Sequence, residues 1–236
     1  IERGALFATV WATCVVYFLI TIVFFIVVKL WRLDVQTFLA PLIFGNTGNL
    51  GLPLALFAFG EVGLSYAVIV FAVMGIYSFT FGIWLVSGGG SPLKVIKEPL
   101  VGATLLGGLF MLQGWQTPLW MTNTLELIGQ MAIPLMLITL GVALARLTAE
   151  NVIRGVLLSF VKVIICTTMA FSIGQFFELA PIALAVLVLQ VSTPVAVTSY
   201  LLAEKYGVEA GEVASLVVVS TLLSVVTISI TLAFLV

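Results

Sequence analysis

Residues 38–59 form an apolar run long enough to cross a bilayer, yet its middle reads Phe44-Gly-Asn-Thr-Gly-Asn-Leu-Gly-Leu-Pro53. Three glycines, two asparagines, a threonine and a proline are poor material for a continuous lipid-facing helix. Pro53 has no amide hydrogen, and its ring clashes with the carbonyl four residues back. Each glycine weakens a helix by about 1 kcal/mol relative to alanine. Broken backbone facing lipid costs several kcal/mol per unsatisfied group, so a break survives only inside protein or beside a wet cavity. The stretch therefore predicts a binding element built from an interrupted transmembrane helix.

The rest of the chain has the composition to match. It is 62% hydrophobic and 8% charged, which points to an all-α polytopic membrane protein embedded in a lipid bilayer. The net charge of −1 gives no reason to expect a nucleic-acid partner. There is no histidine, and Cys14 and Cys166 lie in separate apolar runs without metal-ligand spacing, which reads as two buried thiols. No metal site, cofactor or catalytic residue is expected. HExxH, GxSxG and paired intramembrane aspartates are all missing, which disfavours a membrane-embedded enzyme. No signal peptide is visible at the start.

Hydropathy predicts eight transmembrane helices, at 5–30, 38–59, 63–86, 100–115, 125–145, 152–177, 179–203 and 213–236. With the faces numbered alternately, Lys29, Arg32, Lys94, Lys97, Arg146, Arg154 and Lys205 fall on one side and Arg3 on the other. The basic face is cytoplasmic by the positive-inside rule, so both ends of this chain are expected to be extracytoplasmic. Lys162 falls inside a span, where an ionisable residue is a functional candidate by default. A stem reaching back to the interface, or a structural pairing, is the plainer alternative.

The spans also repeat. The first three run long helix, interrupted helix, clean helix, and so do the last three, where Gln190-Val-Ser-Thr-Pro194 interrupts the middle member. Equivalent members lie five crossings apart, an odd number, so the two triplets have opposite orientation. An inverted repeat with two discontinuous crossing helices points to a secondary transporter with a midplane site. If the unit is five helices, the intact protein has ten spans, two of them before residue 1. The expected domains are first-repeat transport helices at 1–86, a cytoplasmic loop at 87–98, two scaffold helices at 99–147 and second-repeat transport helices at 148–236.

Three motifs carry a family resemblance. G-N-T-G-N-L-G-L-P-L-A-L-F-A-F-G-E-V-G-L at 45–64, T-P-V-A-V-T-S-Y-L-L-A-E-K-Y-G at 193–207 and I-P-L-M-L-I-T-L-G-V-A-L-A at 133–145 resemble the auxin efflux carrier family, the bacterial relatives of plant PIN proteins. The resemblance implies ten helices in two inverted repeats, a transport domain, and a scaffold domain through which homodimers form. It implies efflux or exchange of small organic anions such as carboxylates by alternating access, in the bacterial inner (plasma) membrane. The family's second motif carries Asn four residues after its proline, whereas this chain has Thr198. A hydroxyl does not reproduce a primary amide's pair of donors.

Asn46, Thr47, Asn49, Gln190, Thr193 and Thr198 are the candidate substrate-binding residues, with Ser192 and Ser199 beside the second break. Gly48, Gly51, Pro53 and Pro194 would shape the crossing. The plainer reading is that these polar groups cap helix ends and back-bond to their own turns. A coupling proton or sodium ion is an expected partner, and the residues do not choose between them. A sodium-coupled symporter of the bile-acid or arsenite-carrier type shares the crossed-helix plan and remains the alternative.

Overall fold

The computed structural model describes residues 3–89, 99–147 and 151–235. Lys94 and Lys97, used above for orientation, lie outside these residues. The regular elements are all helical: α1 Arg3–Leu30, α2 Val35–Ile43, α3 Leu52–Tyr77, α4 Ile83–Val86, α5 Pro99–Gln113, α6 Leu119–Arg146, α7 Val152–Phe176, α8 Pro181–Val191, α9 Val197–Tyr206 and α10 Ala210–Leu235. Two wide turns of π type, Thr47–Gly51 and Ser78–Gly82, precede α3 and α4.

The run 38–59 is interrupted where the sequence breaks its pattern. Asp34 caps α2 by accepting from the Thr37 amide at 2.7 Å. The helix stops at Ile43, and Phe44 is extended at φ −91°, ψ 114°. The chain re-enters helix through the first wide turn, where the Gly51 amide donates to the Asn46 carbonyl five residues back at 3.0 Å. Pro53 sits in the first turn of α3, where a missing amide hydrogen is tolerated. The axis breaks again at Gly60, whose φ of 63° and ψ of −159° suit glycine alone. This bend divides the second predicted span from the third. The second broken helix consists of α8 and α9, separated by residues 192–196, and ends on left-handed Gly207.

The broken helices lie inside, and the long ones surround them. Residues 37–43 of α2 are all buried, as are Ala183 and residues 185–191 of α8. The long helices α1, α7 and α10 pack around them, with α3 against α8, and carry exposed Trp11, Phe18, Ile164, Phe171 and Val225 on their outer faces. Broken backbone is thereby kept away from lipid. By contrast, α6 buries a single residue, Leu140, and meets the rest chiefly at the first wide turn and α3.

Among the described residues, five helices are long and apolar enough to cross a membrane: Gly4–Leu30, Thr47–Val86, Leu119–Arg146, Val152–Phe176 and Ala210–Leu235. Eight were expected. The difference lies in the two interrupted runs, whose halves are individually short, and in α5, whose 15 residues rise only about 22 Å. A further correction concerns Cys14, which is exposed on α1; Cys166 alone is buried.

Candidate functional site

The two breaks meet. Gly45 and Val195 form an antiparallel bridge, in which the Asn46 amide donates to the Pro194 carbonyl at 2.7 Å and the Ala196 amide to the Phe44 carbonyl at 3.2 Å. The Val195 amide points the other way, to Ser220 Oγ on α10 at 3.0 Å. A contact this close needs small residues. A Cβ on Gly45 would strike the Thr193 side chain, and one on Gly51 would strike the Gln190 amide. Gly48 leaves room for the Phe71 ring, which a Cβ would meet at 3.0 Å.

Beside the bridge lies a cavity of about 160 Å³. Asn46, Gly48 and Asn49 line it from the first break, and Ala196, Val197 and Thr198 from the second. The opposite wall is Phe71, Met74, Gly75, Ser78 and Phe79, and α6 contributes Met136. The first amides of a helix have no intrahelical acceptor and carry the positive end of its dipole. Here the opening turns of two half-helices, one from each break, face one space. Asn46 is 5% exposed, and its side-chain nitrogen has no hydrogen-bond partner.

The structure sorts the predicted site residues into two groups. Asn46, Asn49 and Thr198 come together at the cavity. Thr47, Gln190 and Thr193 do not line it and are fully buried. Thr193 Oγ1 donates back to the Gln190 carbonyl at 2.7 Å, and the Gln190 side-chain nitrogen reaches the Ala67 carbonyl at 3.5 Å. Ser192 likewise back-bonds, to the Leu189 carbonyl at 3.1 Å. Thr193 and Ser192 thus follow the plainer reading of hydroxyls serving their own helix, whereas Gln190 bonds across to α3. The crossover residues Gly48, Gly51, Pro53 and Pro194 all lie at or next to the breaks.

One feature of the site was not read from sequence, and a second was read only as an anomaly. Ser78 and Phe79 belong to the second wide turn, where the Ile83 amide reaches back to the Ser78 carbonyl. Wide turns of this kind concentrate at functional sites; the only sequence signal was a serine and a threonine within an aromatic stretch. Lys162 is the other. It does not extend to the interface: its side chain is 1% exposed, and Nζ donates to the Leu42 carbonyl at 2.8 Å. That carbonyl lies in the last turn of α2, where the dipole favours a cation.

A family model described as "Membrane transport protein" matches residues 85–232, a segment that holds the second break but not the first. Curated relatives extend the match. A protein of Methanothermobacter thermautotrophicus called an uncharacterized transporter is 30% identical over 205 residues, covering 84% of this chain and 66% of its own. An uncharacterized transporter of Methanocaldococcus jannaschii is 26% identical over 199 residues, covering 78% and 63%. A Rhizobium meliloti protein whose name reads "Putative malonate transporter" is 26% identical over 205 residues, covering 79% and 62%. The chain thus spans just under two thirds of the length of these relatives.

Proposed function

Because the chain belongs to the membrane transport protein family, that of the auxin efflux carriers, we propose that it is a secondary active transporter exporting or exchanging small organic anions. One observation carries the reading. The opening turns of two half-helices, from breaks 149 residues apart by the Asn46–Val195 numbering, face a common cavity edged by a buried amide without a partner. Helix amide ends and a primary amide are donors, and they suit a carboxylate. At about 160 Å³ the space is below the roughly 300–1,000 Å³ of drug-sized sites, which favours a ligand of a few carbon atoms. The name of the Rhizobium relative supports a dicarboxylate of malonate size.

In this reading the binding residues are Asn46, Asn49 and Thr198 with the adjoining amides, and residues 1–86 and 148–236 form a mobile transport domain. Residues 99–147 supply scaffold, and Met136 is the scaffold's side of the cavity. Sliding the transport domain past α6 opens the cavity to alternate faces of the membrane. The two halves form an inverted repeat within a ten-helix protein of the inner membrane, of which eight crossings lie in this chain, with its ends outside and its scaffold helices pairing in a homodimer. Uptake of labelled malonate into vesicles containing the intact protein tests this directly. Saturable uptake that falls in Asn49→Ala is expected, and unaltered uptake in that variant removes Asn49 from the site.

A further inference from the structure

Lys162 lies on the far side of the bridge from the cavity. It lines a separate space of about 10 Å³, with room for one water, together with Ser192, Pro194, Ser220 and Ser224. The segment 192–198 therefore separates the two: Ser192 and Pro194 line the lysine's space, whereas Ala196 and Thr198 line the cavity. The first break gives the distance. Lys162 Nζ binds the Leu42 carbonyl at 2.8 Å, and the four residues from Leu42 to Asn46 span at most about 14 Å even when fully extended. Among the described residues the one ion pair is Arg154–Glu212, which leaves Lys162 buried without a carboxylate. A cation isolated in this way projects its field through protein, where salt screens it poorly.

We propose that the Lys162 ammonium is the counter-charge of the cavity, and that it makes the site favour ligands with more negative charge. The proposal rests on the carboxylate-carrier reading and adds the residue that balances the ligand's charge across the bridge. At an effective dielectric of about 20 and a separation of about 12 Å, each negative charge on the ligand tightens binding on the order of tenfold. The helix ends and Asn46 act at contact range and recognise shape as well as charge. Lys162 acts at a distance and registers charge alone.

An isosteric ladder isolates that property. Binding of malonate, its monoamide and its diamide to the intact purified protein at pH 7 presents two, one and no negative charges in nearly one shape. In the wild type, affinity is expected to fall more than tenfold at each step from the dianion to the neutral diamide. Lys162→Met and Lys162→Gln are expected to shrink each step by about tenfold, and Lys162→Arg to keep most of it. The glutamine variant retains a donor near the Leu42 carbonyl, so it reports on charge if the methionine variant fails to fold. Variants that weaken all three ligands equally, or that leave the steps unchanged, overturn the proposal and reduce Lys162 to a cap on α2. A wild type that binds none of the three overturns the carboxylate reading itself.

Discussion

Asn46→Ala should move stability and binding in opposite directions. The Asn46 side-chain nitrogen is buried and has no partner. A buried donor in that state costs about 1–3 kcal/mol. Removing it should leave the ligand-free protein as stable as before or more so. The alanine leaves no sealed void, because residue 46 already borders the cavity. A hydrogen bond to a charged carboxylate contributes about 1.5–3 kcal/mol, so its loss weakens binding roughly 10- to 150-fold. Thermal unfolding in detergent, with and without malonate, reads both effects. At 100 times Kd, a ligand stabilises the wild type by about 2.7 kcal/mol; with binding 30-fold weaker, the same concentration stabilises by about 0.9 kcal/mol. At about 2–4 °C per kcal/mol, the loss of ligand-induced shift amounts to several degrees. A variant whose ligand-free Tm drops by several degrees while its ligand-induced shift survives would refute the assignment and make Asn46 structural.

Other substitutions separate the crossing from the ligand site. Gly45→Ala drives a Cβ into the Thr193 side chain and to 3.1 Å from its carbonyl, whereas Gly51→Ala meets only the end of the Gln190 side chain. Overpacking of about 1–3 kcal/mol is expected for the first and a smaller loss for the second, measured as folded yield and Tm, with Gln190→Ala restoring Gly51→Ala. Gly60→Ala, at φ 63°, should cost about 1–3 kcal/mol, while Gly107→Ala, helical with nothing near its Cβ, should be neutral or gain up to about 1 kcal/mol; Tm ranks the pair. Thr193→Val removes the bond to the Gln190 carbonyl and should lower stability by about 1 kcal/mol with malonate affinity unchanged; a weaker affinity would return Thr193 to the site.

The interrupted helix at 38–59 was legible because its disruption is local. Glycine and proline in an apolar run can be weighed without knowing what lies beside them. The hydropathy boundary expected between residues 59 and 63 coincides with the Gly60 bend, although the glycine itself was not singled out. Which polar side chains turn toward the cavity was not. Thr193 and Thr198 lie five residues apart around one break and look alike in sequence, but one bonds back to its own turn and the other faces open space. Only the path of the extended strand decides between them. Lys162 was visible as an anomaly, but its partner is a backbone carbonyl 120 positions away, and no residue pattern encodes that pairing.

The crossing explains why the space beside it is rich in donors. Every break in a helix frees both carbonyls and amides, and here they are treated differently. The Leu42 carbonyl takes the Lys162 ammonium, Phe44 the Ala196 amide, and Pro194 the Asn46 amide. The Asn46 carbonyl takes the amides of Leu50 and Gly51, Gln190 takes the Thr193 hydroxyl, and Ala196 takes the Ser199 amide. Six carbonyls flanking the breaks thus already hold donors from within the protein. The groups turned toward the cavity are different in kind: the opening turns at Gly48 and Asn49 and at Val197 and Thr198, with the Asn46 amide between them. A cation would have to compete for these six carbonyls, whereas a carboxylate meets opening-turn amides that have no intrahelical acceptor. The antiparallel bridge satisfies one amide and one carbonyl from each strand, so the donors left over are the opening amides of the helices that follow, which have no intrahelical acceptor.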